Sequence, residues 1–109
     1  MNNPYELVYL PNVYDEIKQI RHYISIELAS PIAADKLMQR LSHAFESIRA
    51  LPYASPIFAP DFGSIITYRK KVVKSYLIVY AVDEDAQTIT IVRVIHSRQN
   101  TAEHVEKNF

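Results

Sequence analysis

Tyr76-Leu77-Ile78-Val79-Tyr80-Ala81-Val82 is apolar from end to end, the composition of a central strand covered on much of both faces. On its C-terminal side, Asp83 to Gln87 supplies turn residues for a hairpin loop of about five residues rather than a tight turn. Thr88 to His96 then returns to Val, Ile and Thr, as a second strand. On its N-terminal side, Ile65 to Val72 reads as a third strand. It is preceded by a stretch from Leu51 to Gly63 in which Pro52, Pro56, Pro60 and the only glycine of the chain break any helical pattern. That stretch is expected to be an ordered surface loop.

Upstream the period changes from two to that of a helix. Val13, Ile17, Ile20, Ile24 and Leu28 line one face of a first helix, with Asn12 as its N-cap and Asp15 and Glu16 favoured in its first turn by the helix dipole. Ser30-Pro31 is an N-cap and N1 pair opening a second helix, whose stripe is Leu37, Leu41, Ala44, Phe45 and Ile48. Glu6 to Leu10 reads as a short first strand ending at Pro11, a proline that an edge position tolerates. The order strand, helix, helix, three strands predicts an α+β domain spanning 1–109, with a helical hairpin laid on one face of a mainly antiparallel sheet. Residues 100–109 are helix-compatible and read as a short helix or a frayed end.

The 109 residues carry 49% hydrophobic side chains, enough for one core but not two. There is no cysteine, so packing must supply the stability, and a reducing compartment is permitted. Neither a leader pattern nor a membrane-length apolar run is present, which points to a soluble cytoplasmic protein with no membrane partner. Twelve basic residues balance twelve acidic ones, which argues against a partner held by bulk electrostatics. The balance still permits a local basic strip, since Arg69, Lys70, Lys71 and Lys74 fall in one short segment.

Chemistry has few places to sit. The four histidines lack the close pairings of zinc ligands, and a single glycine cannot build a phosphate-cradling loop or a nucleophile elbow, so no metal or cofactor is expected. What remains is a cluster of Tyr68, Arg69 and the following lysines with Arg93, His96 and Arg98. Strict alternation places Thr90, Val92, Val94 and His96 on one face, and Ile89, Ile91, Arg93 and Ile95 on the other. Arg93, sharing a face with three isoleucines, either lays its stem along apolar surface or pairs with a carboxylate, or else fixes a partner. His96 is either a neutral strand-end histidine bonded to backbone or, beside Arg98, a general base or acid acting on a phosphate stabilised by arginine.

Tyr76 to Val82, its acidic turn, and Ile91-Val92-Arg93-Val94-Ile95-His96, preceded by Tyr68-Arg69, resemble the C-terminal signature of the RelE/ParE superfamily of toxins. Asp15-Glu16-Ile17 with Tyr23-Ile24, and Pro31-Ile32-Ala33-Ala34, resemble the openings of the two helices of that superfamily, so the likeness runs through most of the chain. The resemblance implies a toxin of a type II toxin-antitoxin module, and as partner a labile antitoxin whose C-terminal segment wraps it.

The two branches imply different targets. The RelE branch cleaves mRNA on the ribosome with basic residues on the sheet, among them an arginine two positions before the Val-Tyr of the third strand. Here that position is Leu77. On that reading Arg69, Lys71, His96 and Arg98 would be the catalytic set. The ParE branch poisons DNA gyrase without ribonuclease activity, and Arg93-Val94-Ile95-His96 followed by Asn100 and His104 is more similar to its strand and tail. On that reading Arg93, His96 and Arg98 bind the target and nothing is catalytic. The missing arginine and the zero net charge favour the ParE branch. An interaction module without toxicity is the third reading, distinguished by the absence of a growth defect on expression.

Overall fold

The computed structural model describes residues 4–58 and 65–100. The chain runs β1 (Glu6–Tyr9), α1 (Pro11–His22), a π-helical turn (Tyr23–Glu27), α2 (Pro31–Ala50), β2 (Tyr68–Val73), β3 (Tyr76–Asp83), β4 (Thr88–His96) and a 3₁₀ turn (Ser97–Asn100). The sheet is mixed, in the order β1-β4-β3-β2: β3 is antiparallel to β2 and β4, while β1 runs parallel to β4 along one edge. The tail 101–109, with His104, and loop residues 59–64, with Pro60 and Gly63, lie outside the described residues.

The stripe expected on α2 is buried in full, at Leu37, Leu41, Ala44, Phe45 and Ile48, joined by Ala34. It packs with Val13 and Ile24 against Ile78, Tyr80, Ile89, Ile91 and Val94 to form the core. Tyr80, with no exposed surface, donates its hydroxyl to the carbonyl of Pro52 at 2.7 Å, which holds the start of the loop after α2 against the sheet.

Several elements depart from their local sequence pattern. The first helix starts at Pro11 with Leu10 at its cap, so Asn12 is not the N-cap and Asp15 and Glu16 fall beyond the first turn. The stripe of α1 also stops short of Leu28, which is 55% exposed. The Leu28 amide bonds to the Tyr23 carbonyl at 3.0 Å, widening the last turn to π geometry and carrying that side chain off the buried face. Ala29, at φ 50°, then reverses the backbone, and Ser30 donates to the Ile24 carbonyl at 3.1 Å, a helix stop normally built on glycine. The third predicted strand begins at Tyr68 rather than Ile65, whose side chain is fully exposed. The β3–β4 loop is a residue shorter than expected because Asp83 pairs with Thr88.

β4 departs from strict alternation. Val79 pairs with Arg93 and Tyr80 with Ile91, so Val92 is an extra residue, a β-bulge. The bulge reverses the parity of everything after it. Val94 and His96 share the core face with Ile89 and Ile91, while Arg93 and Ile95 turn to the opposite face with Thr90. Arg93 therefore does not share a face with three isoleucines.

Candidate functional site

The bulge occurs where β4 loses its neighbour. β1 pairs with β4 only as far as Ile91, and the chain then turns into α1, leaving the next backbone groups of β4 without a strand partner. Side chains of α1 supply one: Asn12 Nδ2 donates to the Val92 carbonyl at 2.9 Å, and Glu16 Oε1 accepts the Val94 amide at 2.7 Å. The other carboxylate oxygen, Oε2, takes the Nε of Arg93 at 2.5 Å. Glu16 is 18% exposed and Arg93 55%. Arg93 thus pairs with a carboxylate, one of the two structural outcomes its sequence context allowed, and its charge is spent within the fold.

Beyond the bulge, β4 ends in the segment that carries His96 and Arg98. Ser97 donates to the Ser75 carbonyl at 2.7 Å, extending the pairing to the β2–β3 turn. The His96 ring stands edge-on to Tyr76 with centroids 5.2 Å apart, and its Nδ1 accepts the Arg98 backbone amide at 3.1 Å. That bond leaves Nε2 as the nitrogen free to meet a partner. Arg98 is exposed, and among the described residues its guanidinium has no hydrogen-bond or ion-pair partner.

The basic residues of β2 are not gathered with this pair. Arg69 opposes Tyr80, and Tyr80 opposes Ile91, five positions before His96; Lys71 opposes Ile78, and Ile78 opposes Val94. With strand residues about 3.3 Å apart and strands about 4.8 Å apart, and with Tyr80 and Tyr76 marking the two rows on β3, the backbone of Arg69 lies about 16 Å from that of His96 and that of Lys71 about 12 Å. Arg69 is also engaged, donating to the Ser55 carbonyl at 2.8 Å and lying 5.1 Å over the Tyr53 ring. The bridge between Ile57 and Arg69, with Phe58 donating to the Tyr68 carbonyl at 2.8 Å, covers the β2 edge beside it. Leu77 is buried on the sheet face opposite the helices, next to buried Val79, so the centre of that face is apolar.

A second polar cluster escaped sequence reading altogether. Glu84, in the β3–β4 turn, accepts the Tyr5 hydroxyl at 2.7 and 3.0 Å and the Tyr53 hydroxyl through Oε2. The Tyr53 and Tyr5 hydrogen bonds hold the Glu84 carboxyl below its ordinary range, and the Tyr53 phenol is pushed up to about 12, chiefly by its bond to that carboxylate. The cluster ties together the N-terminus, the post-α2 loop and the hairpin. The separations of 79 and 31 residues leave no local pattern that could reveal it. Among the described residues no three His, Asp or Glu side chains converge where a metal could sit, and no helix is long and apolar enough to cross a membrane.

A family model described as "ParE toxin of type II toxin-antitoxin system, parDE" matches residues 7–101. The chain belongs to the ParE toxin family. Membership in this family implies a cognate antitoxin. Among solved structures, the chain resembles one from the chromosomal ParDE system of P. aeruginosa, with 13% identity, 87% of this chain and 98% of that one covered, and a TM-score of 0.65. It also resembles the archaeal RelE-RelB complex from Pyrococcus horikoshii OT3, with 11% identity, coverage of 86% and 96%, and a TM-score of 0.59. At such identities the two structures support the fold that ParE and RelE proteins share. A comparison with curated proteins finds no significant match.

Proposed function

We propose that this ParE-family toxin arrests growth by binding DNA gyrase, without catalysis, and that the end of β4 and the segment after it form the contact surface. The observation that carries the reading is the ParE family match across 7–101. Leu77 supports it, because the position where a RelE-type nuclease places an arginine is here a buried apolar residue. The separation of Arg69 and Lys71 from His96 and Arg98 supports it too, because phosphoryl-transfer chemistry needs its cations preorganised around one phosphate. In this reading Arg98 is the exposed charge that meets the target, His96 presents Nε2 beside it, and Arg93 acts indirectly by locking the bulge to α1.

Removing the residues after His96 tests it. The truncated chain should lose toxicity and lose inhibition of gyrase supercoiling, yet still bind its antitoxin and unfold cooperatively. A truncated chain as toxic as the full one would place the contact surface elsewhere.

A further inference from the structure

A groove of about 470 Å³, within the size range of small-molecule sites, runs between α2 and β2, away from the end of β4. Lys36, Arg40 and His43 from the helix and Lys71 and Lys74 from the strand and its turn line it, and no carboxylate does. Regular geometry brings them there. Lys36, Arg40 and His43 recur four and three apart along one face of α2, and Lys71 shares a side of β2 with buried Val73, two residues on. Among the described residues none of these five side chains has a hydrogen-bond or ion-pair partner. The carboxylates of α2 that could have neutralised them are engaged outside the groove, Asp35 by Arg21 and Glu46 by Arg49. A chain of zero net charge therefore leaves three lysines, an arginine and a histidine around one depression. Lys36 and Arg40, four apart on a helix, repel each other unless something negative lies between them.

We propose that this groove binds a small ligand through a short run of linked phosphates, either free or carried on a nucleoside. Charge density selects phosphate over carboxylate. Linked phosphates concentrate several negative charges in a short span, and the helical wall from Lys36 to His43 is only about 10 Å long at about 1.5 Å per residue. Arg40 can grip a phosphate through two parallel N–H bonds while the lysines act as point charges around it. Gln39 and Ser47 add neutral hydrogen-bonding groups. The phosphates are what the groove reads, because no aromatic side chain lines it on which a base could stack. A nucleic-acid backbone is the poorer match, since it spreads its charges along a strand and the neutral chain lacks the broad positive field that holds one. The site uses none of the residues assigned to the gyrase surface, so the two readings stand or fall separately.

Lys74 supports the assignment. It is the first residue of the two-residue β2–β3 turn and holds φ at 57°, a position that favours glycine and strains a lysine. A backbone that keeps a long cationic side chain there, at the mouth of a basic groove, gives up stability to place a charge.

The test is isothermal titration calorimetry of the intact chain with inorganic tripolyphosphate, adenosine triphosphate, orthophosphate, a single-stranded oligonucleotide and a short peptide rich in Glu and Asp. Tripolyphosphate and adenosine triphosphate should bind within about threefold of each other, and orthophosphate at least about tenfold more weakly. Binding should weaken as salt is raised. Lys36→Glu with Arg40→Glu, both exposed, should weaken tripolyphosphate by at least about tenfold. Lys18→Glu with Lys70→Glu, an equal charge change outside the groove, should alter it by less than about threefold. Lys74→Gly should raise the melting temperature and weaken tripolyphosphate together, a combination that a purely structural lysine would not give. The proposal is overturned if tripolyphosphate fails to bind, if its binding survives the reversal in the groove or falls equally in both double variants, or if the oligonucleotide or the peptide binds more tightly and is itself lost on that reversal.

Discussion

Replacing Glu16 by alanine should lower the stability of the domain by about 2–3 kcal/mol, because one change removes two charge-assisted hydrogen bonds and leaves a part-buried amide unpaired. For a chain of this size that is a fall of about 10–20 °C in melting temperature. The two partners of Glu16 contribute unequally. The Val94 amide, at 2.7 Å, lies at the unpaired stretch of β4 and cannot be moved into water without opening the strand. Arg93 is more than half exposed and can be rehydrated, so Arg93→Ala should cost less than about 1 kcal/mol. Glu16→Gln keeps an acceptor oxygen and should fall between the two. Thermal unfolding of the three variants checks the order; equal effects of Glu16→Ala and Arg93→Ala would mean that the ion pair, and not the capping of the strand edge, carries the stability.

The bulge predicts a contrast between two valines at the irregular step of the central pair of strands, the unpaired Val92 and Val79, which pairs with Arg93. Deleting Val92 should leave the fold intact at a cost of about 2 kcal/mol, because removing the extra residue restores regular alternation, with Ile91 and Val94 still toward the core, and sacrifices chiefly the contacts of Asn12 and Glu16 with the bulge. Deleting Val79, 4% exposed on the regular strand, should prevent folding. It must turn either Tyr76 and Ile78 or Tyr80 and Val82 away from the helices. Each large apolar side chain so displaced loses about 1.5–3 kcal/mol, and Tyr80 loses its bond to Pro52 as well. That sum approaches the whole stability of an ordinary small domain, about 5–15 kcal/mol. Circular dichroism and denaturant unfolding of the two deletion variants decide the matter. If both fold, or neither does, the bulge is not where the parity of β4 changes.

Those two experiments also mark how far the sequence could be read. Elements with a strong period were legible: the stripe from Leu37 to Ile48 and the apolar run from Tyr76 to Val82 each occupy the expected place, because burial of one face selects one register. Turns were harder, since the described reversals at positive φ use Ala29, Lys74 and Gln87 in a chain with a single glycine. The usual punctuation is missing. Alternation along β4 failed at Val92 because a bulge depends on what lies beside the strand, and Asn12 and Glu16 are about 80 residues away in sequence, a separation no local window spans. The candidate site divided in the same way. His96 and Arg98 lie together because they are neighbours in the chain, whereas Arg69 and Lys71 are drawn to other surroundings by the register of β2 on β3.

The proposed target of this ParE-family toxin is DNA replication rather than message, because among the described residues the sheet assembles no basic catalytic set. It is tested most directly by inducing this chain alone in bacteria and following labelled thymidine and labelled methionine incorporation over the first minutes. Thymidine incorporation should fall first, with methionine incorporation following. An early fall in methionine incorporation, with thymidine incorporation sustained, would contradict it and return His96 and Arg98 to the role of catalytic candidates.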